Sequence, residues 1–294
     1  MAIPLIIDTD PGVDDAFALA LAARSPEVDL LGVTTVFGNV SLEHTTRNAQ
    51  RILALLGRTD VPVAVGAARA RGEIQQGDGR VVHGDDGLSG LALTLPENDR
   101  LDPRDAVTFL KETIAASQEP VTVVAIGPLT NIAALLETGT KIDRLVLMGG
   151  GIDQGNVTEK AEFNIWSDAE AARRVFRANP TIVPINLTRR CSVDRQWLHD
   201  LRGPVGEKLN ALTASYRDYY YRATGLDGIL VHDAIAVAEA VDPGVLTTRS
   251  HLLDVDCSTG PDRGAVIAGD HEVLVAEDTD IDALRDFLRR RLST

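Results

Sequence analysis

The sequence predicts an α/β fold on a mostly parallel, doubly wound sheet, and three observations carry that expectation. Short apolar runs alternate with helix-like stretches over the first two thirds of the 294-residue chain. The run at residues 121–126 is almost continuously apolar, as a strand covered by helices on both faces must be. Polar and glycine-rich turns follow the runs, which sets reactive side chains at the C-terminal ends of strands, where open α/β sheets bind ligands.

Taken in order, Ile3-Pro4-Leu5-Ile6-Ile7 reads as the first strand and enters Asp8-Thr9-Asp10-Pro11-Gly12-Val13-Asp14-Asp15. Pro-Gly marks a turn, and Val13, Phe17 and Leu21 at helical spacing begin a helix. Side chains two apart on a strand share a face, so Asp8 and Asp10 are expected to point the same way, with Asp14 and Asp15 in the first helical turn. Residues 28–36, rich in β-branched side chains, form a second strand ending at Phe37-Gly38-Asn39. Residues 41–56 read as a helix closed by Gly57, and residues 61–65 as a short strand. Periodicity is lost over residues 67–90, where Gly72, Gly77, Gly79, Gly84, Gly87 and Gly90 gather. Such a long irregular stretch in a compact domain is more often functional than idle.

Asp102 and Pro103 read as the N-cap and first residue of a helix running to about Ser117. The strand at 121–126 turns through Gly127-Pro128-Leu129-Thr130-Asn131 into another helix, and the strand at 144–148 runs into Gly149-Gly150-Gly151. Ser167 with Glu170 reads as a capping box for a helix through Ala178, followed by a strand at 181–186. Residues 193–240 are mainly helical and carry Tyr216, Tyr219, Tyr220 and Tyr221, all the tyrosines of the chain. Tyr216 and Tyr220 share a helical face, which by itself suits core packing. Short strands at 252–256 and 265–268 and a helix from Asp280 complete one expected domain over residues 1–294.

The formal net charge of −14 argues against nucleic acid or an anionic membrane as the main partner and leaves a neutral small molecule open. No run reaches the roughly 18 apolar residues of a membrane span. Cys191 and Cys257 give neither a disulfide framework nor a zinc spacing, which fits a reducing cytoplasm.

Four carboxylates within residues 8–15 are the strongest chemical signal. Two carboxylates about 4 Å apart repel by roughly 4 kcal/mol at an effective dielectric near 20, and a helix N-terminus offsets only about 0.3 to 1 kcal/mol. A divalent cation is therefore expected, and an all-oxygen donor set favours Ca²⁺ or Mg²⁺ over zinc. Asn39, Asn156, Glu162, Asn164 and the pair His232-Asp233 also fall after strands or at a helix start. Singly each reads as a turn or cap residue, whereas together they describe a pocket suited to hydroxyl groups and a hard cation.

Six blocks then carry a resemblance: DTDPGVDDA (8–16), FGN (37–39), HGDDGL (83–88), AIGPLTN (125–131), MGGGIDQGNVTEKAEFNIWSD (148–168) and VHDAIA (231–236). In this order they resemble the motifs of the inosine-uridine-preferring nucleoside hydrolase family. The resemblance implies a Rossmann-like fold and hydrolysis of the N-glycosidic bond of a ribonucleoside, such as inosine or uridine, with one bound Ca²⁺. It implies Asp10, Asp15, Asp233 and the backbone carbonyl of Ile126 as metal ligands. Asp14 and Asn164 would hold the ribose 2′- and 3′-hydroxyls with Asn39 nearby, Asn156 and Glu162 the 5′-hydroxyl, and Phe163 would wall the sugar. Asp10 would take the proton of the attacking water, and His232, with an ordinary pKa near neutrality, would protonate the leaving base. His83, Tyr216 and Tyr220 would face that base, and Asp8 would support the metal ligands from behind. A homodimer or homotetramer is implied as well.

Two alternatives stay open at this point. Asp8-Thr9-Asp10 also looks like the nucleophile motif of a Mg²⁺-dependent phosphohydrolase, although no basic residue adjoins it to neutralise phosphate. A non-catalytic ribose- or calcium-binding protein could use the same scaffold, against which Asp10 and His232 speak.

Overall fold

In the computed structural model, residues 2–72 and 79–293 are described, and the chain alternates strand and helix. It begins β1 (Ile3–Thr9), α1 (Val13–Arg24), β2 (Val28–Thr35), α2 (Leu42–Leu55), β3 (Val63–Val65) and the single turn α3 (Arg80–His83). It continues α4 (Ala106–Ala116), β4 (Thr122–Ala125), α5 (Thr130–Glu137), β5 (Arg144–Met148), α6 (Phe163–Ser167), α7 (Ala169–Phe176), β6 (Thr181–Val183) and α8 (Ile185–Thr188). A two-residue ribbon pairs β7 (Val193–Asp194) with β8 (Gly228–Ile229) around α9 (Arg195–His199), α10 (Gly203–Leu212) and α11 (Ala214–Thr224). The chain closes with α12 (His232–Val241), β9 (Thr247–Val255), β10 (Val266–Ala268), β11 (His271–Asp278) and α13 (Ile281–Leu292).

Among the described residues, nine strands form one sheet in the order β10-β9-β11-β6-β5-β4-β1-β2-β3. All pairs are parallel from β11 through β6 to β3, and only β9 runs against β10 and β11. The chain moves outward from β1 through β2 to β3, then returns to place β4 on the other side of β1. The C-terminal ends of β1 and β4 thus form the switch point where such sheets open a crevice.

Alternation along β1 divides the core. Leu5 and Ile7 enter one apolar cluster with α1 and α12, and Ile6 enters the cluster on the opposite face with α4, α5 and α7. Every residue of α1 from Val13 to Ala22 is buried, because α12, α2 and α13 all contact it. Burying each large aliphatic side chain contributes about 1.5–3 kcal/mol, so the turn between β1 and α1 is anchored at both ends.

Several local expectations shift. Asp105, not Asp102, caps α4 by accepting the Thr108 N–H at 2.8 Å, because Asp102 is occupied by the Arg104 N–H and guanidinium. Asp168, not the Ser167–Glu170 box, caps α7 by accepting from the Ala171 N–H. Ser167 instead closes α6 through the Phe163 carbonyl, and Glu170 pairs with Arg263. The strand expected at 181–186 stops at Val183 and bends at Pro184 into α8. β11 is an addition that the sequence did not suggest: its exposed positions and the exposed start of β9 blur the strand pattern that their pairing creates. Within the irregular stretch at 67–90, α3 forms one helical turn, while Gly77 lies outside the described residues.

Candidate active site

The acidic octet folds into a buried cradle. Asp15, in the first turn of α1, accepts from the Thr9 hydroxyl at 2.5 Å, the Gly12 N–H at 2.9 Å and the Asn39 amide at 3.2 Å. Asp10 lies just past β1 and accepts the Asn39 N–H at 2.7 Å on Oδ2, while its buried Oδ1 has no hydrogen-bond partner among the described residues. A Cβ at position 38 would stand 1.9 Å from Asp10 Oδ2 and one at position 127 would stand 2.6 Å from Oδ1, so Gly38 and Gly127 admit that carboxylate between them. Asp233, in the first turn of α12, brings a third element to the group. Oxygens of Asp14, Asp15 and Asp233 all lie within 4.8 Å of one another.

Crowding and burial leave a clear electrostatic mark. Burial first, then the charge of Asp15, pushes Asp10 well above the usual carboxylate range. Burial raises Asp14 to about 8, with Asp15 adding to the effect, and burial followed by the charges of Asp14 and Asp15 raises Asp233 well above its ordinary value. Asp14 and Asp233 are in hydrogen-bond contact, so both can be ionised together only beside a positive charge. An unpaired buried carboxylate oxygen and clustered oxygen donors fit a hard divalent cation. The tightest carboxylate group includes Asp14, expected at the ribose, whereas the expected ligand Asp10 joins through the shared Asn39. The Ile126 carbonyl faces the same cavity and accepts from the Asn164 amide at 3.2 Å.

Asp8 has separate partners from Asp10 despite the expected shared face. Its Oδ1 accepts from the Thr34 hydroxyl at 2.5 Å and the Asn131 amide at 2.8 Å, and burial raises it to about 7. Asp10 lies beyond the last residue of β1, so strand alternation no longer governs it.

A cavity of about 760 Å³ opens over this cradle. On one side Glu162 caps α6, accepting three backbone N–H groups from Gly150, Asn164 and Ile165. Asn156 Oδ1 accepts the Phe163 N–H at 2.9 Å, and the Asn164 amide also donates to the Met148 carbonyl. Asn156, Glu162, Phe163 and Asn164 therefore line one wall together.

The opposite wall is built of rings. His83 Nδ1 accepts the Val13 N–H at 3.0 Å, an approach that a side chain at Gly12 would block, since a Cβ there would meet Nδ1 at 2.5 Å. His83 and Tyr216 have centroids 5.1 Å apart, and Tyr216 and Tyr220 5.0 Å. The Tyr216 hydroxyl donates to the Leu230 carbonyl, and the Tyr220 hydroxyl lies 3.5 Å from His232 Nε2. Tyr216 is thus buried packing and cavity lining at once, while the half-buried Tyr220 packs against it and lines the cavity.

His232 departs from the expectation of an ordinary pKa. Burial first and the nearby Arg189 guanidinium second push it down to about 3, so its ring is neutral at pH 7 in the free protein. Burial likewise lowers His83 to about 3. All of the residues expected at the site except Asp10 and Asp15 line the cavity directly, and those two stand beneath it. Thr9, Asn131, Thr188, Arg189 and Tyr219 also belong to the site or its support. Thr9 and Asn131 lay inside the recognised motifs, but nothing in residues 188–189 or in Tyr219 alone marked them.

Comparison with known proteins decides what this site belongs to. The profile of the family described as inosine-uridine preferring nucleoside hydrolase matches residues 5–286. The chain belongs to that family. It is similar to the pyrimidine-specific ribonucleoside hydrolase RihA of Photobacterium profundum, at 38% identity over 100% of this chain and 99% of the relative. It is 36% identical to uridine nucleosidase 1 of Arabidopsis thaliana over 86% of this chain and 78% of that one. Among solved structures, a plant nucleoside hydrolase superposes with a TM-score of 0.93 at 32% identity, covering 100% of both chains. A purine-preferring ribonucleoside hydrolase from Gardnerella vaginalis gives 0.91 at 32% identity over 98% of each. This nucleoside hydrolase is accordingly an enzyme that acts on ribonucleosides, and its sheet and flanking helices are those of the family.

Proposed function

We propose that the enzyme hydrolyses the N-glycosidic bond of ribonucleosides to free base and ribose, with uridine and related pyrimidines as preferred substrates. The observation that carries this reading is one cavity with a carboxylate cradle at its floor, amides on one wall and stacked rings on the other. The pyrimidine preference follows the names of the RihA and uridine nucleosidase relatives. Inosine is the second reading, favoured by the purine-preferring structural neighbour.

Asp10, Asp15, Asp233 and the Ile126 carbonyl would hold one Ca²⁺, which when bound keeps the cradle ionised and makes a water beside Asp10 more acidic. Asp14 and Asn164 grip the ribose 2′- and 3′-hydroxyls with Asn39 behind them, while Asn156 and Glu162 orient the 5′-hydroxyl against Phe163. Water attacks C1′ and gives its proton to the unpaired Oδ1 of Asp10. The electron pair of the C1′–N bond leaves on the base, and the surrounding carboxylates stabilise the positive charge that develops on the sugar. His232 presents a ring N–H to the departing base between the Tyr220 hydroxyl and the cavity. A neutral ring holds only this one proton, so His232 shares it with the base as a hydrogen bond. Full transfer draws a second ring proton from solvent, while Asp10 later releases the water proton to solvent. The contribution grows with the basicity of the leaving group.

We read residues 1–294 as one catalytic domain, acting in the cytoplasm as a homodimer or homotetramer. No described helix is long and apolar enough to cross a membrane. A panel of uridine, cytidine, inosine and adenosine scored by reducing-sugar release tests the substrate. If none is cleaved in the presence of Ca²⁺, the assignment fails. Tight ribose binding without turnover would favour a binding protein, and phosphate release from a nucleotide with its base still attached would favour the phosphohydrolase.

A further inference from the structure

Thr188 closes α8 and reaches His232 across 44 residues of sequence. Its fully buried hydroxyl lies 2.6 Å from His232 Nδ1, its one hydrogen-bond partner among the described residues. Nε2, across the ring, faces the Tyr220 hydroxyl and the cavity. A neutral imidazole has one N–H and one lone pair. Were the proton on Nδ1, Thr188 would accept it and its own buried hydroxyl proton would have no acceptor, which is the costly arrangement. With the proton on Nε2, the hydroxyl donates to Nδ1 and each group is paired. A hydroxyl can also rotate to accept from Nδ1 when the ring carries two protons, whereas a carbonyl could only accept.

We propose that Thr188 is a positioning residue that turns Nδ1 of His232 away from the substrate and keeps the ring proton on Nε2, facing the leaving base. This rests on the reading of His232 as the donor to that base. The turn that carries Thr188 is itself fastened. Asn186 brackets the Ile152 peptide with hydrogen bonds of 2.8 and 2.9 Å, and Arg189 holds the Gln154 side chain and the Gly155 carbonyl at 2.8 Å each. The clamped segment leads directly to Asn156, so the same short turn orders the sugar wall and the donor to the base.

Thr188→Val removes the hydroxyl with little change of shape. It is expected to lose about 10-fold or more in kcat on uridine, part of the about 10² to 10⁴ that proton transfer supplies. The loss on p-nitrophenyl riboside, whose leaving group departs without a proton, is expected to be much smaller, and Thr188→Ser should recover most of the uridine rate. Nitrogen-15 spectra of the full-length histidine-labelled enzyme should show the Nε2–H tautomer for His232, a measurement that stands even if the valine variant fails to fold. An Nδ1–H tautomer in the wild type, or equal losses of the valine variant on both substrates, would overturn the proposal. His232→Ala separates the two layers. If it still cleaves uridine at the wild-type rate, the role of His232 falls; if it loses that rate while Thr188→Val keeps it, only the role of Thr188 falls.

Discussion

The floor and the ring wall of the cavity are built on opposite plans. Asp10, Asp14 and Asp15 come from one continuous turn between β1 and α1, with both flanking elements buried, and Asp233 joins them from α12. His83, Tyr216, Tyr220 and His232 come from three separate helices, of which α3 is a single turn and α11 buries only Tyr216 fully. The floor gains its order from the sheet, whereas the ring wall is held by ring–ring contacts and by single hydrogen bonds that join His83 to the Val13 N–H, Tyr216 to the Leu230 carbonyl and His232 to Thr188. On the proposed mechanism, chemistry common to any ribonucleoside belongs on the first, and discrimination between bases on the second.

Substitutions can break that division in descending order of effect. Asp10→Ala should retain the fold and lose about 10³ or more in kcat on every nucleoside, since it removes the proposed acceptor for the water proton. Circular dichroism with steady-state kinetics checks this, and a loss confined to one base would contradict a floor that ignores the base. His232→Ala should lose about 10² on uridine and inosine but much less on p-nitrophenyl riboside. Tyr220→Phe should cost about 10-fold or less, because it removes one hydrogen bond worth roughly 0.5–1.5 kcal/mol, and the loss should differ between uridine and inosine. Identical losses on the two bases would move Tyr220 out of base discrimination.

The smallest effect concerns stability. Asp8 and Asp14 have folded pKa values of about 7 and about 8, raised first by burial from 3.8. Between those limits the folded chain binds more protons than the unfolded one, so in chelator the stability these groups contribute is lost as pH rises. The chelated protein should melt at least about 5 °C lower at pH 8 than at pH 5.5, and added Ca²⁺ should raise Tm more at the higher pH. A Tm that climbs with pH in chelator would show that the acidic floor is not under this strain.

Local pattern carried much of this protein. The apolar runs at residues 3–7 and 121–126 announced central parallel strands, because burial on both faces leaves no polar alternation. Ser41 and Gly57 bracketed α2 as expected, the latter with φ of +70°. Four aspartates in an octet announced a charge problem that only a cation or burial with protons could resolve. Caps were less legible, since Asp102 and Asp105 are both plausible by type and only the engagement of Asp102 by Arg104 selects between them.

By itself, the sequence determined the parallel sheet, the acidic turn at its edge and the family, because each is written in residues that are neighbours along the chain. Tertiary structure alone decided that Asp8 and Asp10 have different partners, that Tyr216 both packs and lines the cavity, and that Thr188 holds His232. It also decided that burial pushes His232 well below its ordinary pKa, to about 3. The reason is physical: desolvation and hydrogen-bond partnership depend on which distant segments are packed together, and residue type and spacing do not contain that distance.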